Sequence, residues 1–153
     1  MPFPVTYVLD RIAPSETFIQ RELELLRQHG WPVFTRLLNG DAQALKPSLT
    51  SCPEGLRRAF AKAAVTRLGE ELPHALRTAC SILKHLPKAA DLVKQAQETE
   101  SLLIHAHFAG ITADVSAIAA QALGRPWTCA VHAHDVFTGS PQALYRRLRT
   151  AAG

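Results

Sequence analysis

Apolar residues recur along this chain in two alternating rhythms: short continuous runs bounded by Pro, Gly or Asp, and longer stretches at helical spacing. Val5-Thr6-Tyr7-Val8-Leu9, with prolines before it and Asp10-Arg11 after it, predicts a buried strand. Ser15 then predicts a helix N-cap, and Glu16 complements the helix dipole in the first turn. Phe18, Ile19, Leu23 and Leu26, with Leu25 beside them, draw a core-facing stripe as far as Gln28. Gly30 is placed to stop that helix. Pro32 to Leu38 predicts a second strand, closed by Asn39-Gly40-Asp41. A strand-helix-strand unit implies parallel strands joined by a right-handed crossover.

The stretch 41–52 reads as loop, and about 53–99 as mainly helical, with breaks expected near Gly69, Pro73 and Pro87. Leu102 to Ala106 predicts the next strand. Ile111 to Leu123 predicts a helix whose Ala113, Ala117, Ala119 and Ala120 permit close packing on a sheet, ended by Gly124-Arg125-Pro126. Trp127 opens a fourth β-rich run that passes into His132-Ala133-His134-Asp135-Val136-Phe137, and Gln142 to Ala152 reads as a last helix. The alternation predicts an α/β fold, a Rossmann-like doubly wound parallel sheet. It leads one to expect a further strand beyond Thr150-Ala151-Ala152-Gly153, so the chain reads as an incomplete domain.

Composition narrows the class. The 153 residues suffice for one domain with its own core, and 47% hydrophobic with 20% charged residues is ordinary for a soluble protein. No apolar run approaches the roughly 20 residues needed to span a bilayer, and Met1-Pro2-Phe3-Pro4 does not open a signal peptide. Cys52, Cys80 and Cys129 are few and widely spaced, as reduced thiols of a cytoplasmic protein would be. The net charge of +4 comes largely from helical stretches such as Arg57 to Arg67 and Arg146 to Arg149. Such charges form a solvated face or draw the chain to an anionic membrane or a phosphate-bearing substrate. They lack the interleaved aromatics or the module of a nucleic-acid binder, so no nucleic-acid partner is expected.

Candidate chemistry gathers at strand ends, where an open α/β sheet binds its ligands. His105 and His107 lie two apart, as do His132 and His134. Residues so spaced on a strand share a face, and each pair could hold a metal, as HxH strand ends do in amidohydrolase-type sites. Nothing after Asp135 supplies the further ligands such sites need, and the plain alternative is that these histidines hydrogen-bond loop groups at the sheet edge. Ser15-Glu16-Thr17 at a helix start forms an anion site or a simple cap. The chain has no GxGxxG, no GxxxxGK[ST] and no nucleophile elbow.

Pro14-Ser15-Glu16-Thr17-Phe18-Ile19 with the following helix to His29-Gly30, then His105-Ala106-His107-Phe108-Ala109, then His132-Ala133-His134-Asp135-Val136-Phe137, resemble in order the N-terminal half of bacterial family 4 glycosyltransferases. The likeness is to those that build exopolysaccharide, colanic-acid-type or lipopolysaccharide chains. The loop Asp10-Arg11-Ile12-Ala13-Pro14 departs from many relatives in lacking a glycine pair. The resemblance implies a GT-B fold, of which residues 1–153 would be the acceptor-side Rossmann-like domain, the C-terminal donor-binding domain being absent. It implies retaining transfer of a sugar from a nucleotide-sugar donor to a glycan or lipid-linked acceptor, without a metal or other cofactor. The fragment alone would be inactive. His132 would be the catalytic residue, stabilising charge near the donor sugar. Ser15, Glu16, Thr17, His107, His134 and Asp135 would bind substrate, Asp135 by positioning the His132 loop or a sugar hydroxyl. The protein would work in the cytoplasm, including peripherally on the cytoplasmic face of the inner membrane. The readings left beside it are a metal-dependent hydrolase fragment using the HxH strand ends and a non-catalytic α/β interaction domain.

Overall fold

In a computed structural model, the described residues are 1–11, 16–39, 72–138 and 140–152, with the helical positions 54, 58 and 61. Their order is β1 (Val5–Leu9), α1 (Thr17–Gln28), β2 (Val33–Leu37), α2 (Leu72–Glu98), β3 (Leu103–His107), α3 (Ile111–Leu123), β4 (Trp127–Ala130), α4 (Ala133–Thr138) and α5 (Pro141–Leu148). The strands form one parallel sheet of order β2-β1-β3-β4. The α/β fold expected from the alternation is therefore the fold observed. After β2 the chain crosses back over β1 to reach β3, and this reversal puts α1 on one face and α2 and α3 on the other.

Each face has its own core. On one, Val8, Ile104, Ala106 and Trp127 pack under Leu86, Ala89, Leu92 and Val93 of α2 and Ala113, Val115, Ile118 and Ala119 of α3. On the other, Val5, Tyr7 and Leu9 pack against Ile19, Leu23 and Leu26 of α1, with Trp31 and Phe108 at the margins. The alanines of α3 are the reason two helices can lie so close over the first face. The second face is thinly covered toward β3 and β4, where Leu103, His105 and Thr128 are only half-buried.

Several local expectations are corrected. Pro87 lies inside α2 without ending it, and Pro73 falls in the helix's first turn, where a missing amide costs nothing. An interior proline costs roughly 3 kcal/mol, but burying Leu86, Leu92 and Val93 is worth about 1.5–3 kcal/mol each, so packing carries the helix through. Gly69 lies outside the described residues. The N-cap of α1 is Glu16, which makes no side-chain capping bond, and Ser15 is again outside the described residues. α5 begins one residue earlier than expected, at Pro141, because Ser140 Oγ accepts the Ala143 amide at 3.1 Å, and it stops at Leu148. β3 extends to His107, one residue beyond the expected end.

Three helices end in the same way. The amides of Trp31, Ser101 and Arg125 bond the carbonyls of Leu26, Ala96 and Ala120, and the preceding residues Gly30, Glu100 and Gly124 are left-handed, with φ of 76°, 51° and 64°. Two of these are the glycines that marked helix ends in the sequence; the third is a glutamate. Ser101, fully buried, joins this turn to the sheet: its Oγ lies 2.7 Å from Thr6 Oγ1 and 2.9 Å from Thr99 Oγ1. Arg125 Nη1 donates to the Ser101 carbonyl and, at 2.8 Å, to that of Ala96.

The outer strands are tied in as well. On β2, Gln95 Nε2 donates to the Thr35 carbonyl at 3.2 Å, and Arg36 pairs with Asp91 at 3.1 Å. On β4, the Ala152 amide donates to the Trp127 carbonyl at 2.8 Å. Among the described residues no helix is long and apolar enough to cross a membrane.

Glu100 gives a direct test of the helix ends. An L-residue in the left-handed region costs about 1–2 kcal/mol, part of which glycine returns through its freer unfolded chain. E100G is expected to raise stability by about 0.5–1 kcal/mol in urea unfolding. A loss of stability would contradict the strained-turn reading.

Candidate functional site

The crossover reversal opens a crevice at the carboxyl ends of β1 and β3, the place where an open parallel sheet receives ligands. A cleft of about 590 Å³ lies there. Its walls include Asp10 after β1, Glu16 before α1, Gly110 and Thr112 at the start of α3, and His134 and Asp135 in α4. Arg147 of α5 closes one side, its Nε 3.3 Å from Asp114 Oδ2.

Beneath the cleft, on the α1 side, stands a separate cluster of rings. Tyr7 and His105 are register partners on β1 and β3, with ring centroids 4.6 Å apart. His105 and His107 share the strand face, as the two-residue spacing predicts, with centroids 5.1 Å apart and planes at 79°. His107 is 1% exposed and stacks on His132 at 5.8 Å and 20°. His132 also meets Phe108 at 4.5 Å and Phe18 at 5.3 Å. Tyr7 Oη donates to Glu22 Oε1 at 3.1 Å, and Glu22 Oε2 lies 3.4 Å from His107 Nε2.

Phe108 divides cleft from cluster. Strand alternation would send its ring to the α2–α3 face, but its φ of 70° turns the ring back to pack on the α1 side, against His132 and His107. A bulky residue held there carries strain of order 1–3 kcal/mol. The buried Thr112 hydroxyl lies 2.6 Å from both the His107 and Phe108 carbonyls, and the Phe108 amide bonds the Ala130 carbonyl at 3.0 Å, so the turn is held from two sides.

The sequence-predicted residues thus divide between two places. Glu16, His134 and Asp135 line the cleft, whereas His107 and His132 belong to the buried cluster. Thr17 is exposed and borders a different groove beside Phe18 and Arg21, and Ser15 lies outside the described residues. The expectation that His132 and His134 share a strand face is corrected: β4 ends at Ala130 and His134 lies in α4. The cause is Asp135, whose Oδ2 accepts the His132 amide at 3.0 Å while its own amide donates to the His132 carbonyl at 2.9 Å, starting a helix at that point. Sequence reasoning missed Tyr7 and Glu22. The readable signal was that Glu22 lies three residues after Ile19 and next to Leu23, at the edge of the core stripe of α1.

Electrostatics in the cluster is governed by burial. It holds His105 down to about 4, and the His107 ring adds to the effect. Burial also lowers His107, against the pull of Glu22. The Tyr7 phenol is raised, first by burial and then by the Glu22 carboxylate. The Cys129 thiol is pushed up to about 12 by burial and by Asp135, which leaves it without thiolate character at neutral pH.

Comparison of the chain with protein-family models, with curated proteins and with solved structures finds no match.

Buried neutral histidines make stability depend on pH with a fixed sign. The unfolded chain protonates His105 near 6.5, the folded chain only near 4. Stability is therefore complete above pH 6.5 and is lost progressively as the pH falls toward 4, by about 3 kcal/mol for His105. His107 contributes in the same direction. In urea unfolding between pH 7.5 and 4, H105Q is expected to show a shallower acid loss than the parent chain; parallel curves would show that His105 is not held neutral.

Proposed function

We propose that this chain is the acceptor-side domain of a retaining bacterial glycosyltransferase of family 4. In this reading it works with a donor-binding domain, which supplies the nucleotide sugar, to extend a glycan or lipid-linked acceptor of the cell envelope. The observation that carries the reading is convergence. The blocks that resemble the family lie roughly ninety and thirty residues apart in the sequence, by the numbering of Glu16, Phe108 and His134, and all three contribute walls to one cleft. That cleft combines the carboxylates of Asp10, Glu16 and Asp135 with the amide-rich start of α3 and the hydroxyl of Ser140, a lining suited to sugar hydroxyls.

The roles follow from position. His134 and Asp135 face the sugar acceptor, and Asp135 holds the His132 amide, so the loop after β4 is set before ligand arrives. His132 is the residue whose expected role this geometry supports least, since its ring packs on Phe18, Phe108 and His107 beneath the cleft and does not line it. The chain's net charge of +4 suits work beside the anionic surface of the inner membrane on its cytoplasmic side. The four-histidine metal site of a hydrolase is less well supported, since His134 stands in α4, apart from the strand pair His105 and His107.

Binding mapped by NMR tests the reading. A free oligosaccharide acceptor, titrated into the 153-residue chain, is expected to bind in the millimolar range and to shift the amides of Gly110, His134 and Asp135. D135A is expected to weaken binding about tenfold, through loss of a wall and of the His132 anchor. No transfer is expected when a nucleoside-diphosphate sugar is added. Turnover by this chain alone, or shifts confined to the groove at Thr17 and Arg21, would overturn the assignment.

A further inference from the structure

The cluster beneath the cleft contains a group of atoms that the proposed function does not use. Glu22, His105 and His107 each present one ligand atom, and the three lie within 4.8 Å of one another. Glu22 reaches the cluster from α1, whereas both histidines come from β3.

The contact between His107 Nε2 and Glu22 Oε2, at 3.4 Å, is long for a hydrogen bond, and among the described residues neither ring nitrogen of the fully buried His107 has a hydrogen-bond partner. A charge-assisted hydrogen bond would draw such a pair to about 2.7–2.9 Å. In a tetrahedral zinc site with bonds of about 2.0–2.1 Å, by contrast, neighbouring ligand atoms stand roughly 3.3 Å apart. The observed gap is close to such an edge.

The surroundings are arranged as a metal's outer shell would be. His105 Nδ1 lies 2.8 Å from Thr128 Oγ1, while its buried Nε2 has no hydrogen-bond partner among the described residues. Donation from Nδ1 to the threonine oxygen leaves the Nε2 lone pair free and fixes the ring, as outer-shell partners do for ligating histidines. Tyr7 Oη donates to Glu22 Oε1, which occupies one carboxylate oxygen and leaves the other beside His107.

We infer that Glu22, His105 and His107 form a binding site for one transition-metal ion of the zinc type. Two imidazoles and one carboxylate suit a borderline cation, not magnesium or calcium, which take all-oxygen sets. Three protein ligands leave a fourth position for water or a ligand atom, and Glu22, 42% exposed at its side chain, is the ligand free to close on the ion. Ligands from α1 and β3 together mean that the ion clamps α1 to the sheet.

Zn²⁺ alone, titrated calorimetrically into the metal-stripped 153-residue chain, tests the site, with Co²⁺ as its spectroscopic surrogate. One equivalent is expected to bind, to give Co²⁺ the intense visible bands of four-coordination, and to raise the thermal midpoint. E22Q, at a partly exposed position that leaves the fold intact, is expected to weaken binding about tenfold or more, and H105Q at least as much. H29Q, at the exposed C-cap of α1, is expected to bind as the parent does. Absence of saturable binding, a six-coordinate Co²⁺ spectrum, or affinity unchanged by both E22Q and H105Q would overturn the inference. Neither outcome bears on sugar binding in the cleft above.

Discussion

The buried hydroxyl of Ser101 sits where the whole layered arrangement is joined. It follows the end of α2, precedes β3, and touches Thr6 of β1 and Thr99 of the turn, while its carbonyl receives the guanidinium of Arg125 from the end of α3. A buried hydroxyl or carbonyl left unpaired costs on the order of 1–3 kcal/mol, so these partners must be met together or not at all. Meeting them sets the register of β3 against β1 at one end, which in turn fixes where His105, His107 and Phe108 emerge at the other. The functional edge of the sheet is thus positioned from the opposite edge.

Much of this architecture was legible because it rests on periodicity. Val5 to Leu9, the stripe of Ile19 and Leu23, and the alanines of α3 announce buried strand, one-faced helix and close helix packing without reference to one another. Gly30 and Gly124 announce helix ends because their left-handed backbone is cheap only for glycine. What escaped reading depends on tertiary contact. Glu100 adopts the same left-handed turn with no compositional sign, Pro87 is carried through by packing on α3, and Glu22 becomes a partner of Tyr7 and His107 only when α1 docks. The histidines were legible as strand-end residues. The division between His107 in the buried cluster and His134 in the cleft was not, because it depends on Asp135 turning the chain into a helix three residues after His132.

The two-face construction explains why one sheet edge supports two kinds of site. The α2–α3 face is thick and apolar, and its rim, at Gly110 to Thr112, gives the cleft a rigid wall. Among the described residues the α1 face carries one helix over four strands, and that thinner cover is where the His105 ring stays half-buried and neutral. Phe108 connects the two. Its unfavourable backbone moves a large ring across the boundary, so that the floor of the cleft is also the lid of the histidine cluster. A change that relaxes this residue therefore reaches both places at once.

The bonds at the outer strands have a meaning for the protein in concentrated solution. An exposed strand edge is a template on which another chain can add a strand of its own. Here the Thr35 carbonyl on β2 is taken by Gln95 and the Trp127 carbonyl on β4 by Ala152, while charged Arg36 and Asp91 stand along the first of these edges. Each flank of the sheet already has one main-chain acceptor occupied from within. An approaching strand finds one rung of each edge already taken, which weakens the sheet as a template for its neighbours.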